Sequence, residues 1–145
     1  MPSWGGEPRL AESKVDSLRR VPLFSHCSQR ELEFLSTRTD EVSLNPGRVL
    51  IEEGQPTESF FVLLAGAVEV SRNGRAVRRM APGDFFGEIG MLDRGPATAT
   101  VKTTEPTDAL VMSHAQFRDA IKANDALALK VIAAMAERLR ATDPG

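Results

Sequence analysis

The chain has 145 residues, 41% of them hydrophobic and 26% charged, with a formal net charge of −2. That length suits a single domain with a sizeable core, and the near-neutral balance excludes the overall basic field on which nucleic-acid binders rely. The lone Cys27 excludes an internal disulfide, no apolar run is long enough to span a bilayer, and the N-terminus lacks the basic start and apolar centre of a signal peptide, so a cytoplasmic protein is expected.

Residues 1–13 are predicted to be a disordered N-terminal segment, since their first part holds Pro, Ser and Gly without periodicity, and one domain then fills 14–145. Val15 to Arg20 reads as a short helix, and Ser28-Gln29-Arg30-Glu31 as a capping box opening a second one with Leu32 and Leu35 toward a core. From Asp40 to Met112 the pattern changes to short strand-like runs. Turns punctuate them at Asn45-Pro46-Gly47, Asn73-Gly74 and Pro82-Gly83-Asp84. Strands of that length and spacing argue for an antiparallel sandwich or barrel.

Between those strands lies the run Phe86 to Val101. Gly87 precedes a short helical turn whose backbone N–H groups attract phosphate, and Glu88 is a carboxylate able to accept from a sugar hydroxyl. Helix capping by Glu88 and ordinary strand formation by Thr98 are the plainer alternatives. His26 and His114 stand alone, with no nucleophile–base pair or metal-ligand cluster around them.

Ser113 and Gln116 form another capping box, and the chain closes with a helix at about 126–141. Ala128, Ile132, Met135 and Leu139 make a heptad seam along it, with Leu127, Val131 and Ala134 as a second apolar line. Either both lines form one wide buried stripe, or one of them is left for a partner chain.

The Phe86–Val101 run resembles the phosphate-binding cassette of the cyclic nucleotide-binding domain family, where the pattern reads Phe-Gly-Glu-(Leu/Ile)-x-(Leu/Met), then Pro-Arg-x-Ala-(Thr/Ser)-Val. Glycines 47, 54, 66, 83 and 87 stand where that family has structural glycines, and the Val21-Pro22-Leu23-Phe24 entry resembles its N-terminal helical segment. The resemblance implies a mainly β fold with flanking α-helices: an antiparallel β-barrel of the double-stranded jelly-roll, cupin-like kind, with an N-terminal helical segment and a long C-terminal helix.

It also implies a non-enzymatic regulatory or sensor module whose ligand is cyclic AMP or cyclic GMP, with no resident cofactor or metal. The ligand-binding residues it implies are Phe86, Gly87, Glu88, Ile89, Ala97, Thr98 and Ala99. Glu88 would take the ribose 2′-hydroxyl, the N–H groups of Gly87 and Glu88 with Thr98 would hold the cyclic phosphate, and the C-terminal helix would lid the base and form a homodimer.

The sequence departs from the pattern at Ala97, where the family has its phosphate-pairing arginine. A charge-assisted bond of that kind contributes roughly 1.5–3 kcal/mol, so its loss weakens binding by about one to two orders of magnitude. Arg94 in the same loop is one replacement, its alternative role being an exposed turn residue, while Arg75, Arg78 and Arg79 read as an anion site or as a solvated strand face. The alternative function is a dimerisation or protein-interaction scaffold that binds no nucleotide. The family's transcription regulators carry a helix-turn-helix domain after the C-terminal helix, and the sequence has none there, so no DNA reading and no membrane role are expected.

Overall fold

The computed structural model describes residues 11–142. In chain order the elements are helix α1 (Ala11–Arg19), a 3-10 turn (Pro22–Phe24), α2 (Gln29–Ser36), strands β1 (Asp40–Leu44), β2 (Val49–Ile51), β3 (Ser59–Ala65), β4 (Val68–Arg72), β5 (Arg75–Met80) and β6 (Phe85–Phe86), then α3 (Glu88–Asp93), β7 (Thr100–Thr103), β8 (Thr107–Ser113), α4 (His114–Ala123) and α5 (Asp125–Thr142). The predicted disorder of 1–13 lies outside the described residues up to position 10, and α1 corrects its end by beginning at Ala11. Both capping boxes form, Ser28 with Glu31 and Ser113 with Gln116.

The strands build two four-stranded antiparallel sheets, ordered β1-β8-β3-β6 and β2-β7-β4-β5, which is the jelly-roll plan with its barrel parted into two sheets. Residues of both sheets, among them Val42, Phe61, Leu63, Val68, Val70, Val101 and Ala109, interlock in a core between them. A second core lies on the outer face of the first sheet, where Phe60, Val62, Leu110 and Met112 meet Leu18, Phe24, Leu32, Phe117 and Leu127 from the helices. Alternation along a strand sends neighbouring side chains to opposite faces. Phe60 and Val62 therefore serve the helical core while Phe61 and Leu63 serve the inter-sheet core, which explains the unbroken apolar run in β3.

Helix α5 closes the helical layer with Leu127, Val131 and Ala134 inward, and leaves Ile132 62% and Leu139 67% exposed. The two apolar lines are thus not one buried stripe. Lys130 of α5 pairs with Glu31 of α2, and His26 Nε2 lies 2.7 Å from Glu137 Oε1. No described helix is long and apolar enough to cross a membrane.

Burial raises the Glu31 carboxyl, but the bond from Lys130 and the capping bonds with Ser28 outweigh it and hold it below the ordinary 4.5. A lowered carboxylate stabilises the fold at neutral pH, and that contribution fades as pH falls below 4.5 through the folded-state value. Glu31→Gln keeps an amide for the capping box but removes the charge. It is expected to lower unfolding free energy by about 1 kcal/mol at neutral pH. Urea titrations should show the gap between the two proteins closing as the pH is taken below 4.5; a gap independent of pH would exclude the ion pair as its source.

Candidate functional site

The cassette is shaped by backbone constraints. β6 pairs with β3, Phe86 opposite Phe61, and their rings stack at 5.1 Å between centroids. Gly87 then adopts φ +84°, and a Cβ there would fall onto the Ser59 carbonyl oxygen, so both the turn and the close approach require glycine. Helix α3 follows, pinned by the fully buried Met91, and ends where Arg94 takes a left-handed φ of 57°. The returning loop is laced to the segment after β2. Gly54 N–H donates to the Ala97 carbonyl at 2.8 Å, Ala97 N–H to the Gln55 carbonyl at 2.8 Å, and Thr57 N–H to the Gly95 carbonyl at 2.9 Å.

Between this cassette and the inner face of the β2-β7-β4-β5 sheet lies a cavity of about 630 Å³, a volume suited to one small organic ligand. Phe86, Gly87, Glu88, Ile89, Ala97, Thr98 and Ala99 all line it. Arg94 does not. Its guanidinium is turned to the Glu58 carboxylate at 2.6 and 3.1 Å, in a pair with both side chains more than half exposed. The sheet side of the cavity carries Val70, Arg72, Val77, Arg78 and Met80. A register shift after Val70 leaves Val77 as the extra residue of a bulge, so Val77 and Arg78 both reach the cavity. Of the arginine group read from the sequence, Arg78 lies on the cavity wall, and Arg79 pairs with Glu105 on the outside at 2.9 Å.

Glu88 is 6% exposed, and Arg138 from α5 pairs with its Oε1. Its Oε2 is buried and has no hydrogen-bond partner among the described residues. Burying an unpaired carboxylate oxygen is unfavourable by about 1–3 kcal/mol, and Oε2 keeps an unused accepting lone pair. Two residues of the site escaped the sequence reading. Arg138 lies fifty positions from Glu88, and nothing local signals their contact. Arg72 shares the strand parity of the buried Val68 and Val70, a signal that was present in the pattern.

The other reactive groups stand apart from this chemistry. His114 Nδ1 lies 2.7 Å from the Met91 carbonyl oxygen, bracing α4 on α3. Burial first, and the nearby Glu31 charge second, push the Cys27 thiol up to about 11 against the opposing pull of Lys130, so it is protonated at neutral pH. Among the described residues no three His, Cys, Asp or Glu side chains are grouped to hold a metal ion.

Compared with known proteins, residues 41–124 match the family described as "Cyclic nucleotide-binding domain". The acetyltransferase Pat of Mycolicibacterium smegmatis is 35% identical over 101 residues, which make up 67% of this chain and 30% of that protein. A CRP-like cAMP-activated global transcriptional regulator of Mycobacterium tuberculosis is 25% identical over 131 residues, 87% of this chain and 58% of its own length. The chain therefore spans less than two thirds of either relative. Among solved structures, the N-terminal domain of a transcriptional regulator from Streptomyces coelicolor A3(2) superposes with a TM-score of 0.81 at 28% identity, covering 88% of this chain and 95% of that one.

The backbone requirement at Gly87 is open to direct measurement. Gly87→Ala places a side chain at a left-handed position and against the Ser59 carbonyl, and should lower stability by about 1–3 kcal/mol. Chemical unfolding checks this: a variant as stable as the unmodified chain would show that the turn relaxes freely.

Proposed function

The chain belongs to the cyclic nucleotide-binding domain family, and from that premise we propose that it is a non-catalytic module binding cyclic AMP or cyclic GMP in the cavity between α3 and the β2-β7-β4-β5 sheet. The observation that carries this reading is the buried, unpartnered Oε2 of Glu88, a residue that lines the cavity. It accepts the ribose 2′-hydroxyl while Oε1 stays with Arg138. The N–H groups of Gly87 and Glu88 and the Thr98 hydroxyl hold the cyclic phosphate. Phe86, Ile89 and Ala99 supply apolar walls to the same cavity, and α5, tied to the site through Arg138, lids the base. Cyclic AMP has the added support that a relative is named as cAMP-activated. Ala97 stands where the family has its phosphate-pairing arginine, so affinity is reduced, and the module works as a cytoplasmic sensor or regulator.

The exposed seam of α5 supports a second reading, in which the chain is a dimerisation or protein-interaction scaffold. Ile132 and Leu139 are large apolar side chains in solvent, and with Ala128 and Met135 they border a groove that Leu92, Phe117 and Ile121 complete. A second copy of the same helix is the occupant we favour, because the seam repeats at heptad spacing.

Titration calorimetry separates the two. Cyclic AMP or cyclic GMP should bind the unmodified chain, the 2′-deoxy analogue should bind about tenfold more weakly because Glu88 loses its donor, and Ala97→Arg should tighten binding by about ten- to a hundredfold. Failure of both nucleotides to bind either protein would leave the scaffold as the better account.

Light scattering addresses the seam. Ile132→Glu sets a carboxylate at its centre and should convert dimers to monomers. An unmodified chain already monomeric at high concentration would remove the paired-helix proposal.

A further inference from the structure

We infer that Arg72 supplies the phosphate cation that position 97 lacks, an assignment that rests on the nucleotide-binding reading of the cavity. Strand β4 pairs with β7 so that Val70 faces Val101 and Ser71 faces Thr100. Arg72 is the next residue beyond the Ser71–Thr100 pair, and from Thr100 the chain runs back through Ala99 and Thr98 to Ala97. Arg72, Ala97, Thr98 and Ala99 all line the one cavity, and the long guanidinium side chain of Arg72 faces the space that the cassette loop encloses.

Two further contacts hold that geometry. The Asn73 N–H, one residue beyond Arg72, donates to Glu53 Oε1 at 3.0 Å, and Glu53 itself bridges to Ala97. The Glu53 N–H donates in turn to Thr100 Oγ1 at 3.0 Å. The tip of the β4–β5 hairpin is thereby fastened beside the cassette. Strand parity supplies the direction: Val68 and Val70 face the inter-sheet core, and Arg72, next on that face, lines the cavity.

The other cations are less suited. Arg94 is turned away to Glu58, Arg138 serves Glu88, and Arg79 serves Glu105. Arg78 also lines the cavity, but it lies on the edge strand β5 opposite Val70, a strand further from β7. The carboxylates of the region are engaged, Asp93 by the Gly95 N–H at 2.8 Å and Glu88 by Arg138. Arg72 has no ion pair or hydrogen bond through its guanidinium among the described residues, and an unpaired guanidinium facing a cavity with an anion-accepting backbone turn is matched by a phosphate monoanion.

The experiment is a set of calorimetric titrations on the full chain with cyclic AMP and cyclic GMP, and with adenosine and guanosine as probes that lack the phosphate. Arg72→Gln should weaken the cyclic nucleotide that binds by about tenfold and leave the matching nucleoside unchanged, while Arg78→Gln alters both by less than about threefold. With an arginine restored at 97 the second cation becomes redundant, so Arg72→Gln in an Ala97→Arg background should cost less than about threefold, and the gain from Ala97→Arg alone should lie near tenfold. Arg72 is exposed, so the variant is expected to fold, and an unchanged melting temperature verifies it. Unaltered nucleotide affinity in Arg72→Gln, an equal loss for the nucleoside, or binding that appears only in Ala97→Arg would each overturn the assignment while leaving the cavity a nucleotide site. No binding in any protein, Ala97→Arg included, would overturn the nucleotide reading and the Arg72 assignment together.

Discussion

Burial of β3 and β8 on both faces is the constraint on which the rest of the molecule depends. Their register sets Phe60 opposite Met112, Phe61 opposite Val111 and Val62 opposite Leu110, so one pair of strands holds the helical core on one side and the inter-sheet core on the other. A strand buried on both faces has little freedom to slip, because a shift of one residue would exchange the two sets of side chains. The cassette is fastened to this pair: β6 hydrogen-bonds to β3, and Gly87 lies against the Ser59 carbonyl. The site inherits its position from strands buried on both faces.

Charge in the site is distributed over distant segments. Glu88 comes from α3, Arg138 from α5, and Arg72 and Arg78 from the β4–β5 hairpin. Only α3 and the loop after it are contiguous. Such an arrangement lets the cation count of the cavity change through a strand residue while the cassette backbone, which the turn geometry dictates, stays as it is.

Helix α5 is held by a buried apolar line and by pairs that differ in burial. Glu31 and Glu88, the partners of Lys130 and Arg138, are nearly buried, whereas both members of the His26–Glu137 contact are well exposed. Exposed pairs contribute little, but removing the cation from a buried carboxylate leaves an uncompensated charge. The helix is therefore tied most firmly where it meets α2 and Glu88, while Ile132 and Leu139 on its outward face stay 62% and 67% exposed.

Much of the fold was legible in the sequence because its signals are local. Capping boxes at Ser28 and Ser113, the Asn73-Gly74 turn and the glycine before Glu88 act through neighbours a few residues away, and each formed where the pattern placed it. Phe86, Gly87, Glu88, Ile89, Ala97, Thr98 and Ala99 come to one cavity because one turn and its return loop, both local, carry them there. What only the tertiary structure decided is which charges meet. Arg94 is close to the cassette in sequence yet its left-handed backbone turns it to Glu58; strand parity marks the face of Arg72 but strand pairing supplies the cassette beside it, and Arg138 meets Glu88 through helix packing that no local pattern encodes. A side chain's direction follows from its own backbone and parity, but its partner follows from the register of segments far apart in the chain.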